Sequence, residues 1–174
     1  MPQRIPTVPV TGDVVSARAR RRATDARHPA PSGRWQRGEQ LPGLYLAEDP
    51  ATVWAEWYRA LAELGEPPDA RLPRDLWQFS VRLERVADLS QSRALRALGL
   101  PQPRPDRTQW PAFQDAGLRL AQDGFEALLF RSSARPSGRC VCVFATAAGF
   151  PGVRTIGARE RIDRAPAPPR GMRT

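Results

Sequence analysis

Residues 44–65 constrain the fold more tightly than any other part of the chain. Leu44-Tyr45-Leu46-Ala47 is a short apolar run that reads as a buried strand. Asp49-Pro50 follows almost at once and opens a helix, with Asp49 as N-cap and Pro50 at the first helical position. Val53, Trp54, Trp57, Leu61 and Leu64 recur at helical spacing and predict one apolar stripe. Gly65, with Pro67-Pro68 beyond it, stops the helix. A strand handed directly to a capped, one-sided helix calls for a mixed architecture.

The remaining pattern alternates without repeats. Val14–Ala17 predicts a first strand, followed by an Arg18–Arg34 connection containing Pro29 and Pro31. Residues 77–86 alternate imperfectly as a strand, and a short helix is expected over Ser90–Leu98, ending at Gly99 and Pro101. After a proline-rich loop at 101–109, Pro111–Asp123 predicts a third helix with Phe113, Gly117, Leu118 and Ala121 on its inner face. Strands follow at 125–131 and 139–145, and the pattern fades beyond Phe150-Pro151. The expected fold is α+β, a single mixed domain over 12–150 between flexible Arg- and Pro-rich termini at 1–11 and 151–174.

All 27 basic residues are arginine, so chemistry that needs a lysine Schiff base or a lysine nucleophile is excluded. The net charge of +9 gathers at the ends. Residues 1–37 carry eight Arg against Asp13 and Asp25, and residues 151–174 six Arg against Glu160 and Asp163, which leaves the body near neutrality. A nucleic-acid-binding fold carries its basic stripe on the folded body, so direct nucleic-acid binding is not expected. The Arg18–Arg22 run still suits weak contact with an acidic partner or nucleic acid.

Cys140 and Cys142 lie two apart in a strand-like run and point to one face, too close for an ordinary disulfide, and read as a reduced core pair. With His28 the only histidine, there is little material for a zinc site or a Ser-His-Asp triad, and no metal is expected. No phosphate-cradling glycine motif appears. Neither a signal core nor a membrane-length apolar run is present, and a cytoplasmic location with no membrane partner is expected.

Arg34, Tyr45 and Glu56 stand eleven residues apart, on a turn, a strand and a helix. A permanently charged planar cation, a phenol and a carboxylate together suit an anionic substrate that reacts through a cation. Each has a plainer alternative: a surface turn arginine, a core aromatic, and a helix glutamate paired with Arg59 or Arg82.

Ser32–Trp57, running S-G-R-W, then Tyr45 in a strand, then a helical Glu56, resembles the signature of the RES domain, a family of bacterial toxins. Trp77–Ser90, Gly124–Ala134 and Arg139–Phe144 resemble later family segments in the same order, so the likeness spans roughly residues 12–148. It implies a fold similar to the ADP-ribosyltransferase toxins, with a cleft that takes NAD as substrate and needs no resident cofactor. The implied reaction is cleavage of the nicotinamide–ribose bond by hydrolysis or by phosphorolysis with inorganic phosphate. The implied catalytic set is Arg34, Tyr45 and Glu56.

The family's serine maps onto Ser132-Ser133; alignment on Ala134 favours Ser133 and leaves Ser132 open. Its early arginine is best matched by Arg18, crowded by Arg20, Arg21 and Arg22. NAD would thus meet Arg18, Arg34, Tyr45, Ser132 and Ser133. Gln36 departs from the Asn that often follows G-R-W. The implied partner is a cognate antitoxin, Xre-like or carrying a toxin-binding domain, that plugs the cleft. Transfer of ADP-ribose to a protein, or a non-catalytic binding protein that has kept the fold, are the alternatives.

Overall fold

Asp49 caps the first helix as its sequence requires: its Oδ1 accepts the Thr52 N–H at 2.7 Å, and Pro50 occupies the first turn. Such a cap contributes about 1 kcal/mol. The helix ends where Gly65 turns left-handed, at φ 65°, and its N–H reaches back to the last helical carbonyls. The computed structural model describes residues 5–18, 32–104 and 106–173, and the side chains of these apart from residues 17 and 18. In chain order the elements are β1 (Thr7–Arg18), β2 (Gly43–Ala47), α1 (Pro50–Leu64), β3 (Arg74–Asp88), α2 (Ser92–Ala97), α3 (Trp110–Gln122), β4 (Ala127–Arg131), β5 (Arg139–Phe144) and β6 (Val153–Ile162).

The strands run in the order β1-β2-β5-β4-β3-β6, and β3 also pairs with β1, so the neighbour relations return to their start. Both faces of β2, β4 and β5 are buried, and the period of two sorts their side chains into two cores. Leu44, Leu46, Leu129, Val141 and Val143 join Phe79, Val81 and Leu83 in a core whose buried members all come from strands. Ala47, Leu128, Phe130, Cys140 and Cys142 face the other way, against the helices. The fold is a mixed α+β domain. β1 meets β2 at one position only, Val15 opposite Ala47.

The imperfect alternation of residues 77–86 has a local cause. Val8 pairs with Val86 but Val10 with Leu83, so β3 bulges by one residue at Glu84-Arg85. The carboxylate of Glu126 takes both freed N–H groups, each at 2.7 Å. The bulge puts Val86 on the same face as Leu83 and turns Ala87 towards the helices.

The ends depart from the expectation of flexible tails at 1–11 and 151–174. β1 already begins at Thr7, and β6 occupies 153–162. β6 is a sheet-edge strand whose residues are exposed except for half-buried Val153, Ile156 and Ile162, so it lacks the apolar alternation by which strands are read. It is held by its ladder to β3 and by Arg159 Nη1 on the buried Asp75 at 2.8 Å.

The helix faces also shift. Leu64 is 53% exposed, so the stripe of α1 ends at Leu61. The buried face of α3 is Phe113, Gln114, Ala116, Gly117 and Leu120, while Leu118 and Ala121 are only half-buried. Gly117 sets that rotation, because a Cβ there would overlap the carbonyl oxygen of Trp35.

Candidate active site

The Gly33–Gln36 turn is pinned from three directions. Gly33 N–H donates to the Gln36 carbonyl at 3.0 Å and to Gln36 Oε1 at 3.3 Å. The Trp35 N–H donates to Tyr45 Oη at 2.9 Å, and Gln114 Nε2 from α3 donates to the Gly33 carbonyl at 2.9 Å. The Trp35 ring is fully buried, with Phe113 edge-on at 4.9 Å and Phe130 at 5.5 Å. Gln36, 1% exposed, therefore works inside the turn, and the extra methylene over Asn is accommodated there.

This frame holds Arg34 under cover, 8% exposed. Its Nη2 donates to the Arg104 carbonyl at 2.6 Å and to Ser133 Oγ at 3.2 Å, and the guanidinium lies over the Phe113 ring at 5.7 Å. Nη1 is buried with no hydrogen-bond partner among the described residues. Burial, then the nearby charge of Arg59, lowers the Arg34 pKa, but a guanidinium remains a cation throughout. A buried cationic donor left open stands ready for an anionic acceptor.

Glu56, one turn and a half into α1, is clamped from both sides. Its Oε1 accepts the Ser132 hydroxyl at 2.6 Å and the Ala134 N–H at 3.4 Å, and its Oε2 accepts Arg59 Nε at 3.2 Å. Ser132 Oγ in turn accepts the Arg135 N–H at 2.9 Å. Arg135 Nη1 reaches Asp49 Oδ2 at 3.1 Å and Thr52 Oγ1 at 2.9 Å. The 132–135 loop and the first turn of α1 thus form one hydrogen-bonded unit.

Arg34, Tyr45, Glu56 and Ser133 line one cavity of about 400 Å³. Arg59 and Arg74 add two cations to its wall, and Trp57, Trp110 and Phe130 add aromatic surface. With Arg131 at the end of β4 the wall counts four arginines, one carboxylate and several ring faces, which suits a large anionic ligand with planar parts. Burial, the largest cause, raises the Tyr45 pKa well above its ordinary value and pushes the Cys142 thiol opposite it up to about 12. Both stay neutral at physiological pH. Among the described residues no three His, Cys, Asp or Glu converge as a metal site, and no helix is long and apolar enough to cross a membrane.

The model of the RES domain family matches residues 13–165, most of the chain. The chain belongs to the RES domain family. The same fold occurs in the crystal structure of the M. tuberculosis MbcT–MbcA toxin–antitoxin complex, with a TM-score of 0.75 and 20% identity, over 90% of this chain and 86% of that one. A comparison with curated proteins finds no match.

The RES domain brings together most, though not all, of the residues its sequence singles out. Ser133 faces the cavity, whereas Ser132, 2% exposed, sits behind Glu56 and holds it. The Tyr45 hydroxyl is taken up by the Trp35 N–H, so this phenol fixes the turn that carries Arg34 while its ring lines the cavity. Arg18 ends β1, opposite Asp75 in the ladder, and its side chain lies outside the described residues, as does His28. Cys140 and Cys142 are free and buried on the helical face.

Three wall residues have no strong signal in the sequence. Arg59 lies three residues after Glu56 and so on the same helix face, where it reads as a mere ion-pair partner. Arg74 starts β3 and Trp110 starts α3, and only the folded arrangement brings them to the cavity.

Proposed function

We propose that this RES domain is the toxin of a toxin–antitoxin pair and consumes NAD by cleaving the bond between nicotinamide and ribose. One observation carries the reading. Two adjacent serines bring a buried arginine with an open donor and a clamped carboxylate to one cavity, by Ser133 to Arg34 at 3.2 Å and Ser132 to Glu56 at 2.6 Å. Family membership supports it, as does the fold shared with the MbcT–MbcA toxin–antitoxin complex.

NAD asks for the chemistry these residues offer. Its pyrophosphate suits Arg34, with Arg59 and Arg74 on the same wall, because guanidiniums bind phosphate oxygens in bidentate fashion. Its planar rings suit Trp57, Trp110 and Phe130. When the glycosidic C–N bond breaks, the electron pair goes to the nicotinamide nitrogen and neutralises its positive charge. Positive charge then develops on the ribosyl carbon and ring oxygen, as in glycoside cleavage. Glu56, held by donors on both oxygens, stabilises that cation without having to reorganise. An acceptor oxygen from water or inorganic phosphate then bonds to the ribosyl carbon and gives up a proton.

A cytoplasmic setting supplies the NAD, and the cognate antitoxin, of Xre-like or other toxin-binding type, would cover this cleft. Nicotinamide release from NAD by the purified protein, with and without inorganic phosphate, tests the reading. Wild type should release nicotinamide and Glu56→Gln should be slower by about 100-fold or more. Equal release by both proteins would remove Glu56 from the chemistry.

A further inference from the structure

We propose that residues 166–173 form a strap that positions the Ser132–Arg135 loop, so that the C-terminal segment is a working part of the site. The catalytic part of this proposal rests on the NAD-cleaving reading above; the positioning part does not. The family match ends at residue 165, so the strap lies beyond the segment that the family model describes.

Inside the 132–135 loop, Ser132 and the Ala134 N–H hold Glu56, and Ser133 meets Arg34. Outside it, the Ala134 carbonyl accepts the Arg173 N–H at 2.7 Å. One residue, Ala134, thus touches Glu56 with its N–H and the strap with its carbonyl, and it is fully buried. Arg135 makes a second joint: its Nε donates to the Arg170 carbonyl at 3.4 Å, while its Nη1 holds Asp49 and Thr52 at the start of α1. The near end of the strap is anchored on α1, where the Tyr58 hydroxyl donates to the Pro166 carbonyl, two residues beyond Glu56. Ala165 packs against the core just before it.

The strap's own sequence suits the task. Pro166, Pro168 and Pro169 fix three φ angles, so little conformational entropy is lost when the segment docks. The Met172 N–H then closes a turn onto the Pro169 carbonyl at 3.3 Å, and Arg173 is delivered to the loop. An error of about 1 Å in the placement of a reacting group can lower a rate about 100-fold, which makes a backbone tether at this loop consequential.

Amide hydrogen exchange and NAD-cleavage kinetics on a truncation series test this. Deleting 166–174 or 173–174 should speed exchange of the Ala134 and Arg135 amides, which report the Glu56 and Ser132 bonds. The same truncations should lower kcat about tenfold through Glu56 and raise KM about threefold through the Ser133 contact to Arg34. Arg173→Ala keeps the backbone N–H and should behave as wild type, whereas Arg173→Pro removes it and should behave as the 173–174 deletion. Should deletion of 166–174 prevent folding, the 173–174 deletion and Arg173→Pro still decide. Unchanged exchange at 134–135 in the variants lacking the Arg173 N–H overturns the strap. So does an Arg173→Ala protein as impaired as Arg173→Pro, which would make the side chain the cause. Faster exchange in a protein family of variants none of which, wild type included, cleaves NAD supports the strap and sinks only the catalytic reading.

Discussion

Ser132 and Ser133 divide the charged groups of the site between them: Ser132 donates to Glu56 at 2.6 Å, and Ser133 accepts from Arg34 at 3.2 Å. Successive residues leaving a strand project to opposite sides, so one two-residue step past β4 serves both the carboxylate and the guanidinium. The doublet in the sequence therefore has two distinct roles rather than one serine and a spare.

The two roles predict different kinetics. Ser132→Ala removes the hydroxyl that fixes Glu56 and should lower kcat for NAD cleavage by about 10- to 100-fold. Ser133→Ala loosens Arg34 on the cavity wall and should act mainly as a rise in KM, about threefold to tenfold. Steady-state nicotinamide release from both variants separates the two effects, and reversed signatures would exchange the roles.

Gly117→Ala should be costly for its size. A Cβ at this position overlaps the Trp35 carbonyl oxygen, so α3 must move off the turn that carries Arg34. Overpacking of this kind costs about 1–3 kcal/mol. Urea denaturation should show that loss, against a near-silent Gln122→Ala on the exposed end of the same helix.

Tyr45→Phe keeps the ring on the cavity wall but leaves the Trp35 N–H without its acceptor. An unsatisfied buried donor costs about 1–3 kcal/mol. The expected outcome is a lower Tm together with weakened activity, because the same turn places Arg34. An unchanged Tm would show that the Tyr45 hydroxyl is dispensable to the turn.

Alkaline pH should destabilise the protein before it touches any arginine. Burial raises the Cys140 thiol and the Tyr45 phenol well above their usual values and pushes the Cys142 thiol up to about 12. Groups raised in the folded state add stability that is complete below the unfolded thiol pKa of about 8.5 and is lost as pH rises through the folded values. Urea midpoints should fall steadily from about pH 8.5 upward. The same burial predicts that a thiol reagent at about pH 8 leaves Cys142 unlabelled until the protein is unfolded, whereas Cys140 borders the cavity.

How much of this was legible in the sequence depended on whether a signal was local. Asp49, Pro50 and Gly65 act within a few residues of themselves, and α1 runs from Pro50 to Leu64 as they dictate. β2, β4 and β5 are short and buried on both faces, so their apolar runs mark them directly. β6 carried no such mark, since an exposed edge strand is held by its ladder and by Arg159 on Asp75 rather than by apolar alternation. The face of α3 differs from the expected one because Gly117 against Trp35, a long-range contact between α3 and the turn, decides the helix rotation. The site divides in the same way. Arg34, Tyr45 and Glu56 share one local stretch, whereas Arg74 and Trp110 reach the cavity only through the tertiary fold.

The central claim is that this cavity consumes NAD with Glu56 as the stabilising carboxylate. Cellular NAD after induced expression, wild type beside Glu56→Ala, tests it most directly. The account predicts that NAD falls with wild type and holds with Glu56→Ala at equal protein level. NAD that stays level with wild type, or falls equally with both proteins, would contradict it.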